Sequence, residues 1–309
     1  MSFINNICDK VYVINLKKDT QKMKSAKSQL DNEGIQFERF DAIYGKDISN
    51  NSFFTQSCYN YCTNGIKGCA ASHRNLWETM IKNNYDHIMI LEDDFIISKD
   101  FNTKFALLYN DVPKDFDILY LGSTFYCNDT SYYSQLFNYI RNNKKTAINK
   151  NIIQSSGCGG LFAYIISNKC AKQFLNEKVS FHIDDNIIDW IQKHNLKSYY
   201  IEPSLITCSL EDSNISSNYP YILNKAISNI HPTTKWLINE SGFTVLGLNI
   251  NLLLFLLISV ALFIPLKYYY FIYLWIFAEF LVSKDAPNSL RYSIVFAFIF
   301  IIKYILHFY

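Results

Sequence analysis

Three acids in a row, Glu92-Asp93-Asp94, close the apolar run His87-Ile88-Met89-Ile90-Leu91, which has the composition of a buried strand. Side chains alternate along a strand, so Glu92 and Asp94 fall on one side, where they can hold one divalent cation. Asp93 is then free to accept from a ribose or sugar hydroxyl. Ligands that are all oxygen suit Mn2+ or Mg2+, either of which would bridge to a diphosphate. The same triplet could instead be an acidic strand end that caps the next helix. In parallel α/β sheets ligands bind outside the carboxyl ends of the strands, which is where this triplet stands.

Other groups carry weaker signals. Cys58, Cys62, Cys69 and His73 could be read as a zinc set, since Cys69 and His73 are four apart and share a helical face. No paired Cys-x-x-Cys is present, and a buried Cys beside a site histidine explains the spacing as well. The eight cysteines show no regular disulfide framework and read as mostly reduced thiols. Gly157, Gly159 and Gly160 are not followed by Lys-Ser/Thr, so they form no phosphate loop and read instead as a tight approach to a strand. Three Asn-x-Ser/Thr triplets, at 128, 214 and 239, matter only in a lumenal setting.

These residues need a frame to position them. Val11–Leu16 reads as a strand, Lys17–Asn32 as a helix, and Gln36–Phe40 as a second strand; a helix bearing Leu76, Met80 and Ile81 precedes the strand of the acids. Strands follow at 116–121, 159–166 and 198–201, with helices at 168–176 and 184–194. Repeated βα units with apolar strands predict an α/β domain with a mostly parallel sheet, over residues 1–218. The polar insertion 126–150 reads as a mobile loop.

Composition changes beyond a linker at 219–243. Residues 244–309 are dominated by Leu, Ile, Phe and Tyr and predict a membrane-anchoring tail of two or three helices, in apolar stretches at 245–266, 268–282 and 292–309. Only the first and third approach the roughly 20 residues that an unstrained crossing needs. Lys225, Lys235, Lys284 and Arg291 flank the spans on one side against Lys267 on the other, and the N-terminus lacks the features of a secretory signal. The expected orientation is therefore a cytosol-facing catalytic domain, with a lumenal one as the alternative. With 29 basic and 27 acidic residues the chain has no basic stripe and is not expected to bind nucleic acid.

Taken in order, Val11-Tyr12-Val13-Ile14-Asn15-Leu16, Phe40-Asp41-Ala42-Ile43-Tyr44-Gly45, Gly68 to Trp77, Ile90 to Asp94, and Ala163-Tyr164-Ile165-Ile166-Ser167 with Asp184 and Pro203 resemble glycosyltransferase family 25 over positions 10 to 217. That family includes lipopolysaccharide and procollagen galactosyltransferases. The resemblance implies a GT-A-type fold and a metal-dependent transferase that inverts the anomeric centre. It would move a hexose, expected to be galactose from UDP-galactose, to a hydroxyl of a glycan or protein. It implies Glu92 and Asp94 as metal ligands for Mn2+ or Mg2+, with Asn15, Leu16 and Asp93 near the donor and Ser72 and His73 opening a helix beside it. An inverting reaction needs a carboxylate base; Asp184 is the first candidate and Asp185 the second, as they follow Phe181-His182-Ile183 at a helix start, with Glu211 and Asp212 behind them. Both Asp184 and Asp185 could equally serve only to stabilise that helix N-terminus. Where the family has an Arg-rich turn, this chain has Lys17, Lys18 and Lys22, which keep the charge and lose the bidentate fork. The rival reading is a catalytically silent, membrane-tethered binding protein.

Overall fold

The computed structural model describes residues 2–49, 52–123, 132–157, 159–209, 220–226, 242–245 and 248–306. Glu211, Asp212, the domain end near Asn218 and the three Asn-x-Ser/Thr triplets lie outside the described residues. The chain forms two compact units, one of Met1–Asn60 with Asn64–Ser213, the other of Asn214–Tyr309 with Tyr61–Thr63.

The first unit opens with α1 (Phe3–Ile7), β1 (Lys10–Asn15), α2 (Thr20–Asn32) and β2 (Glu38–Asp41). α3 (Gln56–Tyr61) and α4 (Asn64–Lys82) follow, then β3 (His87–Glu92), β4 (Phe95–Ile97), α5 (Phe101–Tyr109) and β5 (Ile118–Tyr120). The remainder is α6 (Tyr132–Ile140), β6 (Lys145–Ala147), β7 (Ile152–Ser155), β8 (Ala163–Ser167), α7 (Asn168–Leu175), α8 (Ile183–Lys193), β9 (Ser198–Ile201) and β10 (Ile206–Cys208).

Eight strands form one sheet in the order β2-β1-β3-β8-β5-β9-β7-β6. β1 is parallel to β2 and β3, and β5 to β9, while β8 and β7 run against both of their neighbours. Six strands thus share a direction, which is the mostly parallel α/β sheet expected. The reversal of β8 was invisible beforehand because a strand buried on both faces reads as a continuous apolar run whichever way it points, and β7, with only two apolar residues before Gln154 and Ser155, gives no strand pattern of its own. Alternation splits the core. Val11, Val13, Met89, Leu91, Leu119 and Ile165 pack under α1, α2 and α5 through Ile4, Ala26, Leu30, Phe101 and Phe105. On the opposite face Trp77 of α4 donates to the Tyr164 hydroxyl at 3.1 Å and meets Phe174 of α7 at 5.3 Å between ring centres.

The insertion expected to be a mobile loop is ordered over much of its length. It contains α6 and adds β6 to the sheet edge through β7. Gln192 and Arg141 tie it down, Arg141 Nη2 donating to the Asp185 carbonyl at 2.7 Å. Among the described cysteines Cys8, Cys69, Cys170 and Cys208 are reduced thiols, in line with the expectation of mostly reduced cysteines, whereas Cys58 and Cys62 are disulfide-bonded. That removes two members of the zinc set.

In the second unit α9 (Tyr221–Ala226) is followed by a hairpin of β11 (Gly242–Val245) and β12 (Leu248–Asn251), then α10 (Leu252–Phe263), α11 (Tyr269–Ser283) and α12 (Ala286–Ile305). The stretch from Val245 to Leu266, expected to be long enough to cross, is not one helix. Its first residues enter the hairpin, Asn251 caps α10 by accepting from Leu254 N at 2.9 Å, and Pro265 follows the helix end. Among the described residues α12, at 20 residues, is the helix long and apolar enough to cross a membrane. At 1.5 Å per residue it measures about 30 Å. Among the described residues of the unit, buried Glu279 accepts from Ile222 N at 3.0 Å and Trp275 Nε1 at 3.1 Å, and buried Lys303 donates to the Ile264 carbonyl at 2.5 Å at the end of α10.

Candidate functional site

Parallel pairing brings the carboxyl ends of β1 and β3 together, with Ile14 opposite Glu92. β8 runs the other way, so the segment before it arrives at the same end, where Glu92 N donates to the Phe162 carbonyl at 2.9 Å. The acids therefore stand at the rim of the sheet with Asn15 on one flank and Gly160 on the other. Ser209 N donates to the Asp94 carbonyl at 2.7 Å and fixes the turn that carries the triplet.

Each acid has a different environment. Asp93 Oδ2 accepts from Asn15 Nδ2 at 2.5 Å, and burial raises its pKa, opposed by Asn15 and Lys22. Asp94 is raised to about 7, first by burial and then by the charge of Glu92, and its Oδ1 is buried without a hydrogen-bond partner. Glu92 turns toward α4: its Oε1 lies 3.2 Å from His73 Nε2 and 4.0 Å from Cys69 Sγ. A buried carboxylate beside another, with an oxygen unpaired, is an arrangement that a divalent cation would relieve, so these residues fit one.

Asn15 is itself held. Arg39 Nε donates to Asn15 Oδ1 at 2.9 Å while its Nη2 pairs with Asp41 at 2.8 Å. Sequence reasoning passed over Arg39, although strand pairing places it against Val13 and thus two residues from the strand end. It supplies a guanidinium where the turn after β1 has only lysines. Of those lysines, Lys22 acts on Asp93 and Asp94, and Lys18 lies over the Tyr44 ring at 5.9 Å. Leu16 follows Asn15 at the rim, half-buried.

Ser72 and His73 do not open a helix. α4 begins at Asn64, so both sit at its middle, each 1% exposed. Ser72 Oγ accepts from Ile43 N at 2.9 Å and donates to the Gly68 carbonyl at 2.7 Å, which makes it a clamp between α4 and the loop after β2. That loop comes so close that a Cβ on Gly68 would lie 2.6 Å from the Ile43 carbonyl oxygen, and one on Gly45 1.7 Å from that of Asn64. The helix length hid this, because Gly and small residues at 68–72 look like a start when they are a docking face. His73 Nδ1 lies 2.9 Å from the Tyr164 hydroxyl, which also takes the Trp77 N–H, so the ring is held from behind and presents Nε2 to Glu92.

Asp184 and Asp185 occupy the first turn of α8, as expected. Asp184 Oδ2 accepts from Gly160 N at 3.2 Å and its Oδ1 from Asp185 N at 3.0 Å. Gly160 has φ +86°, a conformation favouring glycine, and so turns its N–H to this acid. Burial, and then the charges of Glu92, Asp184 and Asp94, raise the Cys69 thiol well above its usual range. Asp185 is raised to about 7 by burial and by Asp184, with Arg141 opposing.

The sequence profile described as glycosyltransferase family 25 (LPS biosynthesis protein) matches residues 8–188. A glycosyltransferase 25 family member of Drosophila melanogaster is 26% identical over 127 residues, 37% of this chain and 21% of that one. A Haemophilus influenzae protein classed by name with the glycosyltransferases is 26% identical over 216 residues, 65% of this chain and 71% of that one. Procollagen galactosyltransferase 1-B of Xenopus laevis is 30% identical over 129 residues, 37% of this chain and 21% of that one. The chain thus spans about a fifth of the Drosophila and Xenopus relatives.

Proposed function

The chain belongs to glycosyltransferase family 25, and from that premise we propose that it is a metal-dependent, inverting glycosyltransferase of GT-A type, which moves a hexose, galactose from UDP-galactose, to a hydroxyl of a glycan or protein. The observation that carries the reading is the pairing of Asp94, raised to about 7 with a buried unpaired oxygen, with Glu92 at the carboxyl end of β3. Glu92 and Asp94 would hold Mn2+ or Mg2+, which when bound supplies positive charge against the leaving diphosphate. Asn15, fixed by Arg39, orients Asp93 to accept from a donor hydroxyl. Lys22 adds a cation beside the same acids. Asp184, whose charge along with those of Glu92 and Asp94 acts on Cys69, is the base that takes the acceptor hydroxyl's proton; Gly160 and Asp185 N–H groups fix its carboxylate.

Incubation of the full chain with a panel of UDP-sugars, Mn2+ and simple hydroxyl acceptors tests this. Sugar transfer or slow donor hydrolysis that disappears with chelator and in Asp94→Ala is expected. No turnover with any donor, together with donor binding unchanged in Asp94→Ala, would establish the catalytically silent binding protein.

The tail anchors the enzyme at a membrane through α12, whose Leu290, Ile294, Phe298, Ile301 and Ile305 are exposed. For orientation, the disulfide-bonded Cys58 and Cys62 favour the lumenal alternative over the cytosol-facing expectation, because disulfides persist in oxidising compartments. Protease protection of the first unit in sealed vesicles decides: protection supports the lumenal side, and digestion without detergent the cytosolic one.

A further inference from the structure

We propose that Cys69, His73 and Glu92 form a binding site for a thiophilic divalent cation of the Zn2+ class, sharing only Glu92 with the oxygen-ligand donor-cation site. The proposal does not depend on glycosyl transfer.

The ligand atoms of these three residues all lie within 4.8 Å of one another. His73 Nε2 and Glu92 Oε1 are 3.2 Å apart, and Cys69 Sγ is 4.0 Å from the same oxygen. A tetrahedral ion with bonds of about 2.0–2.3 Å needs ligand atoms about 3.3–3.6 Å apart, so the set closes on an ion with side-chain shifts of about an ångström or less. The scaffold is stiff. Cys69 and His73 are one turn apart on α4, which Gly68 and Ser72 lock to the loop after β2, and Glu92 ends a central strand. The other imidazole nitrogen is held by Tyr164, which is held in turn by Trp77, the outer-shell support that metal-bound histidines usually have. His73 is buried, while Cys69 and Glu92 are partly exposed, which leaves a side for an ion and a fourth ligand to enter.

Chemistry selects the ion. Cys69, which gives up its proton to solvent as the ion binds, and an imidazole favour Zn2+ over Mn2+ or Mg2+, and the ordinary order of divalent affinities points the same way. Zn2+ here and a cation held by Glu92 and Asp94 draw on the same Glu92 carboxylate, so each ion alters the binding of the other. Cys58 and Cys62 take no part, being disulfide-bonded, and Cys8 and Cys170 are buried in the core.

The probe is Co2+, titrated into the full chain in detergent as a spectroscopic substitute for Zn2+. A saturable thiolate-to-cobalt charge-transfer band with the visible bands of a tetrahedral ion is expected, displaced by stoichiometric Zn2+. Cys69→Ser abolishes the charge-transfer band, Glu92→Gln weakens binding at least about tenfold, and Tyr164→Phe weakens it by roughly 10-fold through the loss of its outer-shell bond. Asp94→Asn retains the band, which separates this site from the donor-cation site. Absence of the band in the wild-type chain overturns the proposal, as does a band that survives Cys69→Ser. Absorption reads the result, so a chain without transferase turnover can still pass this test.

Discussion

Asp94→Asn should make the metal-free protein more stable while abolishing its use of a cation. Asp94 is held at about 7 against an ordinary 3.8. At 1.36 kcal/mol per unit, the folded state at pH 8 carries a ceiling of about 4 kcal/mol for ionising this group. Taking about half of that, since buried sites relax around a charge, leaves about 2 kcal/mol. The pH dependence follows from the sign. Below about 3.8 the carboxyl is protonated in both states and contributes nothing; between 3.8 and 7 only the unfolded chain ionises it, so the folded state loses ground as pH rises; above 7 the loss is constant. Asn has the same shape and never ionises, so its advantage grows over that window. At about 2–4 °C per kcal/mol, the variant should melt about 4–8 °C higher than wild type at pH 8 with chelator present, and within about a degree near pH 4. Thermal melts of both proteins in detergent from pH 4 to 8 provide the measurement. A difference that stays flat across pH, or a variant less stable at pH 8, refutes the account of Asp94. Adding Mn2+ should raise the wild-type midpoint and leave the variant's where it was.

Asn15→Ala removes the partner of Asp93 and should weaken UDP-sugar binding about tenfold, read by isothermal titration; unchanged affinity would mean that Asp93 needs no orienting. Gly68→Ala forces a Cβ to 2.6 Å from the Ile43 carbonyl oxygen and should cost about 1–3 kcal/mol in urea unfolding, with Gly68→Ser no better, whereas a loss under half a kcal/mol would show the loop to be compliant. If Asp184 is the base, Asp184→Asn lowers kcat about 100-fold or more with KM little changed, and Asp185→Asn lowers it far less; the reverse order would reassign the base to Asp185. Glu279→Gln should loosen α9 from α11, seen as faster amide exchange at Ile222, because the carboxylate accepts that N–H.

The strand of the acids was legible because four consecutive apolar residues between two polar ends allow little else, and the structure buries Ile88, Met89, Ile90 and Leu91 completely. Asp184 and Asp185 were placed at a helix start by their sequence neighbours, and they stand in the first turn of α8. What stayed hidden depends on partners distant along the chain. The start of α4 was misplaced at Ser72 because local composition carries no sign that Gly68 must fit beneath residue 43. Arg39 was one residue of a short strand until parallel pairing opposite Val13 let its guanidinium reach Asn15. The direction of β8 and the strand character of 145–147 were equally beyond a local pattern, as both are fixed by which strand happens to lie alongside. In the tail, hydrophobicity marked the region and not its breaks, which Asn251 and Pro265 determine.

The place of β8 also fixes an order of events during synthesis. β3 ends at Glu92, but the strand that covers its free side begins at Ala163, after β5, β6 and β7 have been made. A nascent chain therefore carries β2, β1 and β3 with one bare apolar edge while some seventy further residues emerge, as counted from the two strand positions. Unpaired strand edges of this kind invite pairing with other chains. Ribosomal pausing or premature termination between β5 and β8 should thus produce aggregation-prone fragments, and chaperone demand should peak in that interval. The rim that gathers the acids is completed late, when residues 160–167 insert, so a chain can be largely folded and still lack it.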